Sequence, residues 1–123
     1  MTINIKATNT DLTPAISTYV EEKVLGLDKF IVADDPESVL ANVEIGLSTK
    51  HHQSGKVFHA EINLHIAGKY IRAVSEQEDL YAAIDDMRDQ VVREITSFKN
   101  KKRDLVRKGG AAIKDFLRGF KRR

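Results

Sequence analysis

Apolar and polar residues alternate along four short segments of the chain, as they do in strands with one buried face. The segments are 2–8, 39–48, 57–66 and a short stretch over about 70–74. The link before the fourth segment, Ala67-Gly68-Lys69, has the composition of a tight turn. Because the last three segments follow one another closely, we predict that they pair as an antiparallel meander.

A first helix is predicted over about 13–29. Thr13 can cap free backbone amides. Pro14 suits the first helical position, because the backbone N–H that proline lacks would have no hydrogen-bond acceptor within the helix there. One face of this helix is apolar at helical spacing and carries Ile16, Val20, Val24 and Leu27.

A second, longer helix is predicted to begin within 75–79 and to end near Arg103. Ser75 and Glu78 have the spacing of a capping box, and the change from acidic to basic residues along the segment suits the helix dipole. Its apolar stripe consists of Leu80, Ile84, Met87, Val91, Ile95 and Phe98.

The element order β-α-β-β-β-α predicts an α+β fold, a two-layer sandwich in which two helices pack on one face of a four-stranded sheet. We expect this domain over residues 1–104 and a basic C-terminal tail over 105–123, flexible or amphipathic, since Gly109-Gly110 interrupts the helical pattern. The opposite sheet face is predicted to be polar and to meet either water or RNA. It would carry Lys6, Asn42, Glu44, His59, Glu61, Asn63, His65 and Arg72.

The composition favours a cytoplasmic protein. The 123 residues include no cysteine, as a reducing compartment permits. No apolar run approaches the roughly 18 residues of a membrane span, and the start MTINIKAT has neither the basic nor the apolar region of a signal peptide. We therefore expect a chain that is neither exported nor embedded in a membrane.

Charge is distributed very unevenly along the chain. Residues 1–98 carry 9 Lys/Arg against 16 Asp/Glu, and residues 99–123 carry 11 against 2, so the two parts stand at −7 and +9. A positive charge gathered at one end suits a polyanion such as nucleic acid or an anionic membrane surface, although a merely solubilising tail has the same pattern.

Catalytic motifs are weak by comparison. His51 and His52 share a predicted loop, and His59 and His65 lie six apart on one predicted strand, a spacing that does not favour a shared metal ion. The sequence has no phosphate loop, no Gly-x-Ser-x-Gly elbow and no His-Glu-x-x-His motif. We expect no enzyme, no metal site, no cofactor and no small-molecule substrate.

A nucleic-acid interface is better supported. Basic side chains near the end of the second helix would neutralise phosphates and release counterions, which gives salt-dependent affinity with little base specificity. An amphipathic tail with Phe116, Leu117 and Phe120 could instead dock on a membrane or a protein partner. The basic residues are Arg93, Lys99, Lys101, Lys102, Arg103, Arg107 and Lys108, with further ones in the tail.

Several segments resemble the family of ribosome hibernation promoting factors and ribosome-associated inhibitor A proteins. The resemblance covers about residues 1–104 and includes an opening Ile-Asn-Ile strand and a Tyr-Val-Glu-Glu-Lys helix. Its more specific part is Tyr-Ile-Arg-Ala over 70–73 followed by Asp-Leu-Tyr-Ala-Ala-Ile-Asp over 79–85. Phe-Lys-Asn-Lys-Lys-Arg over 98–103, at the helix end, also matches but is not specific alone.

This resemblance implies a non-enzymatic factor that binds the small ribosomal subunit and its rRNA in the decoding region. It would occupy the A and P sites, exclude tRNA and messenger, and idle ribosomes under stress or in stationary phase. Asp79, Tyr81 and Asp85 match family motif positions, and Asp79 and Tyr81 are expected to be partly structural. The basic residues that match family rRNA contacts are Lys23, Lys29, Arg72, Arg93, Lys99, Lys101 and Arg103, to which charge adds Lys102, Arg107 and Lys108.

Two questions stay open at this stage. In the family, some short members pair ribosomes and others prevent pairing, and the tail of this chain matches neither form. Two alternative functions also remain, namely a general module for structured RNA and a protein-interaction domain that uses its amphipathic tail.

Overall fold

The structure, a computed structural model, describes residues 1–31, 38–48, 55–66 and 68–109. It confirms the predicted fold and the predicted order of elements. The elements are β1 (Thr2–Thr8), α1 (Pro14–Leu25) with a 3₁₀ turn at its end (Gly26–Phe30), β2 (Leu40–Leu47), β3 (Phe58–Ile66), β4 (Lys69–Gln77) and α2 (Leu80–Lys108).

The four strands form one sheet in the order β1-β2-β3-β4. β2, β3 and β4 pair antiparallel, which confirms the meander, and β1 pairs parallel to β2. Parallel neighbours cannot be joined by a tight turn, and α1 lies on the connection between them.

The core lies between the sheet and the two helices. Alternate residues of the inner strands face the helices, and the register aligns Val43, Ile62 and Ala73 in one row. The predicted apolar stripe of α2 is buried as far as Ile95, and Phe98 is half-buried. The largest fully buried side chains are Leu27, Ile45, Ile62, Leu64, Ile84, Met87, Val20, Val24, Val39 and Val91.

The predicted capping box of Ser75 and Glu78 is wrong, and α2 begins at the end of the predicted range 75–79, with Asp79 as its N-cap. β4 is not a short strand but continues to Gln77, and the carboxylate of Asp79 caps α2 by accepting a hydrogen bond from the amide of Ala82 at 3.2 Å. The physical reason is the ladder with β3, which pairs Ser75 with Ala60 and holds the backbone extended. Ser75 is therefore buried between strand and helix instead of capping a helix with Glu78.

Buried Ser75 joins β4 to α2. Its hydroxyl accepts a hydrogen bond from Gln77 at 3.3 Å and, together with Gln90, holds the pKa of the Asp86 carboxyl below its ordinary value. The amide of Gln90 donates both to the Val74 carbonyl at 2.9 Å and to Asp86 at 3.1 Å. α2 is thus attached to the sheet by polar contacts as well as by its apolar stripe.

The predicted start of the first helix is confirmed, whereas the end of the second helix differs from the prediction. The Thr13 cap and Pro14 are confirmed, since the Thr13 hydroxyl accepts from the Ile16 amide at 3.2 Å. The predicted end of α2 near Arg103 is wrong, because the helix continues to Lys108 and ends at Gly109, whose φ of 117° favours glycine. Residues 105–108, assigned to the tail by sequence, are therefore helical.

Some predicted features lie outside the described residues. These are His51 and His52, Ala67 of the predicted tight turn, and residues 110–123 with the amphipathic pattern of the tail. Within the described ranges, no helix is long and apolar enough to span a membrane.

Candidate nucleic-acid interface

The C-terminal third of α2 extends beyond the core. Ile95 is the last buried residue of the helix, and from Lys99 to Lys108 every residue is exposed except the half-buried Leu105. At about 1.5 Å per residue this segment is roughly 15 Å long. It contains six basic residues and one acidic residue, Asp104, for a net charge of +5. We call residues 99–108 the projecting segment.

The basic side chains surround the projecting segment. At 100° per residue, Lys99, Arg103 and Arg107 follow one another along one side, whereas Lys101 and Lys108 lie on another side. Arg103 also donates to the side chain of Asn100 at 3.0 Å. A helix with positive charge on several sides can contact phosphates from more than one direction, as in the groove of a folded RNA.

The opposite end of α2 is acidic. Glu76, Glu78 and Asp79 line an open depression there together with Val57, Gln77 and Ala82. Charge is therefore separated along the axis of the helix, which would turn the projecting segment toward a polyanion and the acidic end away from it.

Lys69 and Phe98 meet at the base of the projecting segment. The ammonium of Lys69 lies 3.5 Å from the centroid of the Phe98 ring. Burial lowers the pKa of Lys69 from 10.5 to about 8, although nearby Glu94 acts in the opposite direction. This contact also places the start of β4 beside the projecting segment.

The family motif residues join α1 to the first turns of α2. Tyr19 of α1 donates a hydrogen bond to Asp85 at 2.6 Å, and Lys23 forms an ion pair with the same carboxylate at 3.3 Å. The rings of Tyr19 and Tyr81 meet edge to face with centroids 4.7 Å apart. With Asp79 as the cap of α2, all three motif residues have structural contacts where the two helices meet.

We expect Tyr19→Phe to lower the free energy of unfolding by about 1–2 kcal/mol, because a hydrogen bond to a charged acceptor is lost. The bond raises the pKa of Tyr19 from 10.0 to about 12, so its stabilising contribution is complete below pH 10 and is lost as the pH rises through 12. Urea unfolding at neutral pH measures the effect.

Tyr81→Phe is the matched control for Tyr19→Phe. It removes a hydroxyl from the other ring of the pair, and that hydroxyl has no hydrogen bond within the described residues. Equal losses in the two variants would contradict a specific contribution of the Tyr19–Asp85 bond.

The structure does not bring all the predicted contact residues together. Lys23 lies beside Asp85. Asp85 precedes Lys99 by fourteen residues in α2, a distance of about 20 Å along the helix axis. Lys29 belongs to the 3₁₀ turn, with its ammonium 5.2 Å from the centroid of the Phe30 ring. The residues that share the exposed C-terminal part of α2 are Arg93, Lys99, Lys101, Lys102, Arg103, Arg107 and Lys108.

Arg72 lies on the sheet face opposite the helices, which we call the open face. This face is polar, as the alternation predicts. Its register forms a row of Asn4, Asn42, Asn63 and Arg72, in which Asn4 donates to Asn42 at 3.0 Å. Glu61 accepts from Arg72 at 2.9 Å and from Asn63 at 3.3 Å.

Sequence reasoning did not identify His65 and Tyr70 as a pair. Their ring centroids are 3.9 Å apart on the open face, and Tyr70 is 47% exposed. The available signal was the predicted tight turn, since a hairpin that pairs Ile66 with Lys69 also pairs His65 with Tyr70. Among the described residues, no group of three or more His, Cys, Asp or Glu could hold a metal ion.

Comparisons with known proteins agree on one family. Its profile, described as Sigma 54 modulation protein / S30EA ribosomal protein, matches residues 3–103. A ribosome hibernation promoting factor of Klebsiella oxytoca is 33% identical over 102 residues, 82% of this chain and 96% of that protein. One of Azotobacter vinelandii is 33% identical over 110 residues, 89% of this chain and 92% of that protein. The crystal structure of the Thermus thermophilus Protein Y N-terminal domain matches with a TM-score of 0.67 and 32% identity, over 80% of this chain and 99% of that one.

Proposed function

The chain belongs to the Sigma 54 modulation protein / S30EA ribosomal protein family, and from this membership we propose that it is a ribosome-associated hibernation factor. It binds the small ribosomal subunit in the decoding region, occupies the A and P sites, and blocks tRNA and messenger. The relatives named ribosome hibernation promoting factor support the association with ribosomes. Such a role would place the chain in the cytoplasm.

The observation that carries the proposal is the projecting segment, with its net charge of +5 outside the core. Its ammonium and guanidinium groups bind rRNA phosphates and release counterions, so affinity falls as salt rises. The contacts that we propose there are Lys99, Lys101, Lys102, Arg103, Arg107 and Lys108, with Arg93 one to two turns earlier in the helix.

The mechanism is steric occupation rather than chemistry. α2 is anchored by its buried stripe and by the hydrogen bond from Gln90 to the Val74 carbonyl, so the projecting segment is already helical and oriented before it meets the ribosome. Preorganisation of this kind reduces the ordering cost of binding. Because the bound domain would fill the space that tRNA occupies on the subunit, it excludes tRNA without turnover.

Co-sedimentation with small subunits and whole ribosomes tests the proposal, with deacylated tRNA as competitor. We expect saturable binding that tRNA relieves, and the position of the ribosome peak shows whether pairs of ribosomes form. The same experiment with a chain that lacks residues 110–123 reports what that segment adds. Binding that tRNA leaves unchanged would contradict occupation of the A and P sites.

A general structured-RNA module is the second candidate, because a helix with cations on several sides suits any folded RNA. Free rRNA or tRNA would then compete as well as intact subunits. A protein-interaction domain, by contrast, would show no RNA binding at physiological salt.

A further inference from the structure

His65 and Tyr70 form an aromatic pair at one edge of the open face. They are direct cross-strand neighbours on β3 and β4, with ring centroids 3.9 Å apart and planes inclined by 56°. β4 is the edge strand of the sheet, and nearly half of the Tyr70 surface is accessible. The inclined His65 ring supports one side of the Tyr70 ring, and the rest of the Tyr70 surface can receive a planar group.

This pair lies at the same end of the sheet as the projecting segment. Lys69 precedes Tyr70 in β4 and points to the helix side, where its ammonium contacts Phe98, the residue immediately before the projecting segment. Tyr70 points to the open face, because successive side chains of a strand alternate. The adjacent residues Lys69 and Tyr70 thus connect the cationic end of α2 on one side of the sheet with an exposed aromatic ring on the other.

A cation also lies beside the ring on the open face itself. Arg72 follows Tyr70 by two residues on the same face, and its side chain is 65% exposed. Its guanidinium is oriented by Glu61 at 2.9 Å, and such an exposed ion pair contributes little stability that a competing phosphate would have to overcome. The corner therefore offers an aromatic surface and a phosphate-binding group on one face, about 7 Å apart along the strand backbone.

We propose that Tyr70, supported by His65, stacks on an unpaired base of single-stranded RNA whose neighbouring phosphates bind Arg72 and the projecting segment. This inference rests on the proposed ribosomal function and adds a base contact to it. Cations alone bind any polyanion, whereas a ring stacks only where a base is free of its helix. The site would thus select unpaired rRNA near the bound domain and tolerate any base identity.

The test compares two decamers with equal numbers of phosphates, an oligoadenylate and an abasic ribose-phosphate chain, by fluorescence anisotropy at low salt. We expect the wild-type protein to prefer the oligoadenylate. Tyr70→Ala should weaken binding of the oligoadenylate about tenfold and leave binding of the abasic chain unchanged, because only the stacking contact is lost. Tyr70→Phe, which retains the ring, should bind like the wild type.

Three results would overturn the inference. The first is that the wild type binds the two decamers equally, or binds neither. The second is that Tyr70→Ala loses affinity equally for both decamers. The third is that Tyr70→Phe loses as much affinity for the oligoadenylate as Tyr70→Ala does. Thermal unfolding of each variant identifies losses caused by misfolding, and His65→Ala gives a second variant that should lower only oligoadenylate binding. Co-sedimentation with subunits is measured separately, so failure of base stacking and failure of ribosome binding remain distinguishable.

Discussion

Reversing two charges on the projecting segment, by Lys99→Glu together with Lys101→Glu, is expected to weaken binding to small ribosomal subunits by roughly 10- to 100-fold at moderate salt. Both side chains are exposed and lie beyond the last buried residue of α2, so the core stays intact. The reversal would remove two of the proposed phosphate contacts and add two repulsive charges. Sedimentation binding curves for wild type and variant measure the loss.

Salt dependence gives the second readout of the same variant. Each lost phosphate contact lowers the slope of log affinity against log salt by about 0.7–0.9, so the variant should respond less steeply to salt than the wild type. Lys6→Glu with Lys56→Glu is the matched control, because it changes net charge equally at exposed positions outside α2. Parallel salt curves for variant and wild type, or equal losses in variant and control, would rule out the helix end as the contact.

Gly46→Ala is expected to lower the free energy of unfolding by about 3 kcal/mol, at the upper end of typical overpacking costs. Gly46 is buried on β2 and pairs with Thr8 of β1 in the parallel ladder. A Cβ added at this position would overlap the carbonyl oxygen of Thr8, which belongs to the backbone and cannot rotate away. The end of β1 must therefore shift, and chemical denaturation at equilibrium measures the cost.

Gly26→Ala is the matched control for Gly46→Ala. Gly26 lies at the end of α1 with φ of −62°, and an added Cβ there meets no atom within 4 Å. Alanine at such a helical position should raise the free energy of unfolding by about 0.5–1 kcal/mol, mainly by restricting the unfolded chain. Destabilisation of similar size in both variants would contradict the overlap with Thr8 as the cause.

The fold could be predicted because its signals are local and periodic. Alternation in β2 and β3 and the helical spacing of the α2 stripe both report burial on one face, and the structure buries those positions. The helix boundaries were harder to predict, because the capping-box spacing of Ser75 and Glu78 is as good a local signal for a helix start as the observed cap Asp79. Pairing of Ser75 with Ala60 in the ladder decided between the alternatives, and no local pattern contains that partner.

For the candidate site, the sequence predicted which segment carries the positive charge but not how its side chains are arranged in space. The split between −7 and +9 located the cations in the sequence, but only the position of Ile95 as the last buried residue shows where the helix leaves the core. Lys23, assigned to the RNA contacts by resemblance, lies beside Asp85 near the first turns of α2, away from the projecting segment. Its ion pair depends on how α1 packs against α2, which is a long-range property.

The sequence by itself thus determined the elements, their order, the buried faces and the location of positive charge, because each depends on residues a few positions apart. The tertiary structure alone decided which residues meet across elements. The close approach of Gly46 to Thr8, the His65–Tyr70 pair and the contact of Lys69 with Phe98 all join separate elements. Their physical cause is the register and packing of sheet and helices, which no single segment encodes.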